Sequence, residues 1–303
     1  MPFMKQLPTH RLTGDAKMAY ALLAPAALFI AVFMLYPILY VILMSLYKTN
    51  KLGILQKWIW FDNFARLLKD PTFWEVTGRS MLWTVLAVIV KTILGMVIAL
   101  CLNVEFAGRK FARMLFIIPW ASSVPISAML WKWVYDHEFG LLNHTLIALG
   151  ITNNPPVWLG MPIWSFVACI WVDIWIGIPF MALVFLAGMQ SVSKDLYESA
   201  EVDGVNPIQK FFFITIPSIK QIIFIATLLS SLWTFNDFNT IYILTRGGPA
   251  GATDILITSI YKNGFEWLRF SDASVMAVVT FIILMIFSVL YARVYFRGGD
   301  DTL

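Results

Sequence analysis

The sequence predicts an all-α integral membrane protein with six transmembrane helices. It is crowded with apolar residues, it carries few charges, and its apolar stretches recur at the length of a bilayer. Apolar side chains make up 59% of the chain and charged ones 13%, and the mean hydropathy of +0.76 lies well above that of a soluble domain. A hydrocarbon core about 30 Å thick needs roughly 20 apolar residues of helix. That template fits six times, at about 19–46, 80–102, 112–134, 163–189, 219–244 and 272–295.

The first stretch begins after Lys17 and meets no charge before Lys48. It is longer than the apolar region of a signal peptide and has no small-residue cleavage site before a mature domain, so it is expected to be a true span. A short surface helix is expected around Asn63–Leu68 in the first loop. The loops on either side of the third stretch differ sharply in charge: Arg109, Lys110 and Arg113 crowd the one before it, whereas residues 135–162 after it contain no Lys or Arg. The positive-inside rule then puts the N- and C-termini in the cytoplasm. The count in the first loop (Lys48, Lys51, Lys57, Arg66, Lys69 and Arg79) runs the other way, but that loop is long and part of its charge belongs to the surface helix. No repeat of 20 to 50 residues and no Gly/Ser or Pro-rich linker divides the chain, so residues 1–303 read as one membrane domain.

Several function classes fall away. The net charge of +4 is scattered over short loops and forms no basic stripe for nucleic acid. Cys101 and Cys169 lie inside apolar stretches, so no disulfide framework is indicated. There is no Gly-rich phosphate loop ending in Gly-Lys-Ser/Thr, no H-E-x-x-H and no C-x-x-C, so the chain shows no means of hydrolysing a nucleotide or holding a metal.

Residues 190–217 are too long and too polar for a simple turn between spans four and five. Lys194–Asp203 reads as a short helix that Gly204 ends in the left-handed conformation. Asn206 is a good N-cap, Pro207 suits the first helical position, and Gln209 completes a capping box for a second helix reaching about Ile216, before Pro217. On physical grounds alone, a solvated amphipathic turn lying on the membrane surface is an equal reading.

The run Asp195-Leu196-Tyr197-Glu198-Ser199-Ala200-Glu201, then Asp203-Gly204, then Ile216-Pro217, resembles the EAA loop of permease subunits from binding-protein-dependent ABC importers. Ser199 stands where a second alanine is usual, and Ile216 where leucine commonly precedes the proline. The resemblance covers nearly the whole chain and is narrower than the class. WFDNFARLLKDPTFW at 60–74 and IPWASSVPISAMLWKWVYDHEFGLLN at 118–143 resemble sugar-type permeases, and LTRGGPAGATDILITSIYKNGF at 244–265 is similar to a segment marking the maltose-transporter F-type subunit. Arg246 replaces a small residue common in that segment. The resemblance implies that 190–217 is a coupling segment docking on an ATPase, with Glu198, Ala200, Asp203 and Gly204 as its contact and hinge residues. It also implies a prokaryotic inner-membrane location, a G-type second permease subunit, two ATP-binding subunits and an extracytoplasmic substrate-binding protein. ATP and Mg would be bound by the partner ATPase subunits, with no cofactor in this chain.

Three ionisable residues interrupt the spans: Lys91, Asp173 and Asp237. Each costs roughly 2.5–3.5 kcal/mol at a helix centre on insertion scales, so each needs a partner, a cavity or water. Asp173 and Asp237 differ in expected depth by only about 5 Å at 1.5 Å per residue. On a helix, Asp173, Gly177 and Phe180 share one face through i, i+4 and i+7 spacing, and so do Trp233, Asp237 and Thr240. A ring and a carboxylate together suit a carbohydrate: the ring covers the C–H face and the carboxylate accepts from hydroxyls. The runs at 175–181 and 235–238 also resemble segments lining the sugar path of F-type subunits. Asn236 and Asn239 are weaker candidates, because an amide also bonds across helices. In the other reading Asp173 or Asp237 pairs with Lys91 as a packing device. Trp131, Trp133, Trp164, Trp171 and Trp175 are assigned to packing or the interface, and Gly177 with Pro179 is expected to loosen span four.

The resulting expectation is half of the translocation pathway of an ATP-driven importer for a sugar, an oligosaccharide or glycoside. One alternative is the same machine carrying a non-sugar such as glycerol 3-phosphate. The other is a proton-coupled secondary transporter, against which the lack of inverted repeats counts.

Overall fold

The computed structural model describes residues 14–297, with side chains over 16–295. The chain ends, expected in the cytoplasm, lie outside the described residues. Helices α1 (Gly14–Ile30) and α2 (Tyr36–Ser45) are joined without a break by a π-turn at Ala31–Leu35. The hairpin of β1 (Tyr47–Thr49) and β2 (Leu55–Trp58) follows, with Tyr47 opposite Trp58. Next comes α3 (Asp62–Lys69), close to the surface helix expected there.

Helix α4 (Pro71–Asn103) is longer than the expected span because it starts two turns earlier, where Pro71 takes the first turn and the Asp70 side chain accepts from the Thr72 N–H. The third span is not one straight helix. It is α5 (Arg109–Ala121) and α6 (Val124–Val134), bent by 95° at a short break. Pro119 and Pro125 flank two extended serines, Ser122 and Ser123; the Ser122 hydroxyl donates to the Pro119 carbonyl at 2.8 Å, satisfying a group the break leaves open. Helix α7 (Leu141–Ala148) lies in the following loop, and α8 (Pro162–Gln190) matches the expected fourth span to within a residue at each end.

Span five needs the largest correction. Helix α9 (Lys194–Val202), Gly204 at φ +73° and the capping box of Asn206 and Gln209 are as expected. The second helix does not stop before Pro217. Helix α10 (Pro207–Lys210) passes through a π-turn at Phe211–Thr215 into α11 (Ile216–Phe235), giving 29 residues of unbroken helix. The π-turn meets the proline directly: the Ile216 N–H reaches the Phe211 carbonyl, five residues back, just before the residue that has no N–H to give. At the other end the helix breaks at Asn236–Asp237, and α12 (Phe238–Leu244) starts afresh. Helix α13 (Leu256–Tyr261) and α14 (Phe270–Arg297) complete the chain. Among the described residues five helices are long and apolar enough to cross a bilayer, and the bent α5–α6 pair makes a sixth if it counts as one span.

The core runs along the α4–α8 pair. Toward one end it holds Trp83, Ala87, Cys169 and Val172, toward the other Met96, Ala99, Met181 and Phe185. Small residues let the backbones approach; a Cβ on Gly95 would lie 2.6 Å from the Met181 Cβ.

Candidate functional site

Helices α4, α5, α8 and α11, with the starts of α6 and α12, line a half-open cavity of about 670 Å³. Asp173, Gly177, Phe180, Trp233, Asn236, Asp237 and Asn239 all line it, so all but one of the candidates expected to contact a solute come together. Thr240 does not. The break at Asn236–Asp237 destroys the helical spacing that would have put Trp233, Asp237 and Thr240 on one face, and Thr240 turns into the protein, fully buried. Its backbone N–H instead donates to Asp237 Oδ1 at 3.2 Å, making Asp237 the N-cap of α12. The adjoining Asn-Asp pair is the sequence signal for this break, because both side chains favour caps over helix interiors.

Lys91 and Asp173 form a buried ion pair, Nζ to Oδ2 at 2.7 Å, with their side chains 4% and 10% exposed. Lys91 Nζ also donates to Thr234 Oγ1 at 2.7 Å, and that hydroxyl donates to Asp173 Oδ2 at 3.4 Å. The Thr234 carbonyl is held in turn by the Trp83 indole N–H at 2.9 Å. Gly177 makes room for this knot, since a Cβ there would meet Lys91 Cδ and Cε at 2.8 Å. Of the two carboxylates, then, Asp173 is the one paired with Lys91, while it still lines the cavity.

Three rings form one wall. Phe180 packs edge-on to Trp233 with centroids 4.9 Å apart, and Trp120 stacks on Phe180 at 6.2 Å. Sequence reasoning did not reach Trp120, which lines the cavity with Val124 across the α5–α6 break. Ser230 and Asn239 complete the polar lining. The acceptors Asp173, Asp237 and Asn236 line the same cavity, a set able to hold a polyhydroxylated ring by stacking and by hydrogen bonds.

The four residues expected in the coupling segment sit far from this cavity in sequence, on and after α9. Glu198 is exposed, Ala200 is buried with its carbonyl accepting from the Val205 N–H at 2.9 Å, and Asp203 and Gly204 end the helix in the open. A Cβ on Gly204 would meet nothing within 4 Å, so only its positive φ requires glycine there.

Residues 91–297 match the family of binding-protein-dependent transport system inner membrane components. The chain belongs to that family. It is the permease subunit of a binding-protein-dependent ABC importer, a multi-pass inner-membrane protein, and the secondary-transporter alternative falls. The permease is 34% identical over 283 residues to the trehalose/maltose transport system permease protein MalF of Thermococcus litoralis, covering 92% of this chain and 94% of that one. It is 33% identical over 294 residues to the sulfoquinovosyl glycerol transport system permease protein SmoG of Agrobacterium fabrum, covering 96% and 95%. Its fold matches a chain of a crystallised bacterial ABC transporter that imports the acidic polysaccharide alginate, with a TM-score of 0.80 and 25% identity over 94% of this chain and 99% of that one.

Proposed function

We propose that the permease carries a sugar, an oligosaccharide or glycoside, through the cavity between α8 and α11, and that Asp173, Gly177, Phe180, Trp233, Asn236 and Asp237 contact it. The observation that carries this reading is the meeting of three aromatic rings with two carboxylates and two amides around one cavity. The names of its relatives favour the same class. Lys91 is the one cation among the described lining residues, and it is engaged by Asp173, so an anion such as glycerol 3-phosphate would meet Asp237 with no free ammonium.

In this reading residues 1–303 form one membrane domain of six spans with both ends in the cytoplasm. A G-type permease subunit completes the pathway, a substrate-binding protein delivers the sugar outside, and two ATPase subunits, which bind ATP and Mg, dock beneath residues 190–217. Glu198 supplies a carboxylate to that contact, Ala200 and Asp203 shape it, and Gly204 is its hinge. Closure of the ATPases moves this segment and swings the spans between inward and outward access. The permease itself performs no chemistry and needs no cofactor.

Co-purification with the neighbouring subunits, followed by a ligand screen of the binding protein, tests the substrate class; a screen returning amino acids or peptides and no carbohydrate overturns it. Asp237→Ala is then expected to abolish uptake with assembly intact. Glu198→Lys and Gly204→Pro are expected to lose ATP-dependent uptake, and intact uptake in both would remove the coupling role.

A further inference from the structure

The unbroken helix from Pro207 to Phe235 reaches from the end of the 190–206 segment to the cavity wall, where it presents Trp233. At about 1.5 Å per residue it is a rod some 40 Å long. Its foot is the π-turn at Phe211–Thr215, and one side chain of α9 reaches that turn from 18 residues away in sequence: the Tyr197 hydroxyl lies 2.9 Å from Thr215 Oγ1. Thr215 is buried, and among the described residues that oxygen's one other hydrogen bond is a long one to the Lys210 carbonyl, 3.4 Å. A second tie, Glu201 to Lys210 at 2.7 Å, has its carboxylate 71% exposed and is correspondingly weak.

We propose that Tyr197 is a positioning residue that latches α9 to the π-turn through Thr215, so that displacement of α9 is delivered along the rod to the cavity. Gly204 lies between the two helices at φ +73°, in a C-cap where its own N–H donates to the Glu201 carbonyl at 3.0 Å and the Val205 N–H to the Ala200 carbonyl at 2.9 Å. Those bonds hold the turn only locally; the Tyr197–Thr215 bond adds the third side to the triangle of α9, turn and rod. The π-turn suits the receiving end, since its register shift already separates the Pro217 end of the ladder from the turn below. On its other side α9 follows α8 after the short link Ser191–Ser193, so both cavity walls are driven from one short helix. This inference rests on residues 190–217 being the ATPase-docking segment.

Two measurements test it separately. In the purified full chain, hydrogen exchange of residues 194–216 is expected to quicken about fivefold in Tyr197→Phe, the effect of one lost net hydrogen bond. Thr215→Val should do the same, the double variant no more than either, and Thr215→Ser should restore protection. Unchanged exchange, or strictly additive effects, overturns the latch. In the assembled complex carrying Val124→Cys in the cavity, ATP with vanadate is expected to change labelling by a membrane-impermeant maleimide, and Tyr197→Phe to abolish that change while ATP is still hydrolysed. A full ATP-dependent change in Tyr197→Phe overturns the proposal, whereas no change in the parent complex, with exchange behaving as expected, overturns the docking reading on which it rests.

Discussion

Lys91 shows how much a single intramembrane charge dictates. Its ammonium is buried with Asp173 and Thr234, and its stem lies over Gly177, so three elements meet at one side chain. Removing one partner leaves an uncompensated charge and costs about 3–5 kcal/mol, whereas an apolar pair of similar volume is often neutral. Asp173→Ala is therefore expected to lower the thermal midpoint of the detergent-solubilised permease sharply, and Lys91→Met with Asp173→Leu to recover most of the loss. A double variant no more stable than the single one contradicts this account. That Lys91, Asp173 and Asp237 matter was legible in the sequence, because each is expensive in a bilayer. Which carboxylate takes the lysine was not, since that depends on the rotation of α8 against α4 and on a break beside Asp237 that shifts its depth.

At the scale of elements, α8 was legible almost to the residue, because its ends carry clear signals: Pro162 in the first turn and Ser191 at the other end. The bend between α5 and α6 and the fusion of α10 with α11 were not. In the first, hydropathy runs on through a backbone change that only Pro119, Ser122, Ser123 and Pro125 reveal; in the second, Pro217 reads as a stop, but the π-turn at Phe211–Thr215 carries the helix through it. Glycine spacing within α4 gives a sharper contrast. Gly95 faces α8, where an added Cβ would lie 2.6 Å from the Met181 Cβ and 3.2 Å from the Ala182 nitrogen, so Gly95→Ala has to push two helices apart and is expected to cost about 1–3 kcal/mol. Gly78, on the same helix, has nothing within 4 Å of its missing Cβ. Gly78→Ala is expected to stabilise by about 0.5–1 kcal/mol through helix propensity alone. Thermal unfolding of the two variants side by side checks the α4–α8 packing, and equal shifts would refute it.

The whole molecule leaves much apolar surface open: almost every residue of the N-terminal helical run Ala16–Ser45 is exposed, so lipid or a neighbouring subunit has to cover it. How the chain is threaded through the bilayer turns on the bent pair α5–α6. If it crosses, Arg109, Lys110 and Arg113 face one side and residues 135–162, which have no Lys or Arg, face the other; if it is re-entrant, both loops share a side. Charge favours crossing, because three cations in the first five residues of the pair and no Lys or Arg in the loop after it is the asymmetry that the positive-inside rule describes. Lys110 and Asn153 are both exposed, so Lys110→Cys is expected to react with an impermeant maleimide only from the cytoplasmic face and Asn153→Cys only from outside. Labelling of both from one face would make the pair re-entrant. The same parity decides where α9 emerges: α8 is a single crossing between the 135–162 loop and Ser191, so an outside Asn153 puts Glu198 in the cytoplasm, where an ATPase can reach it.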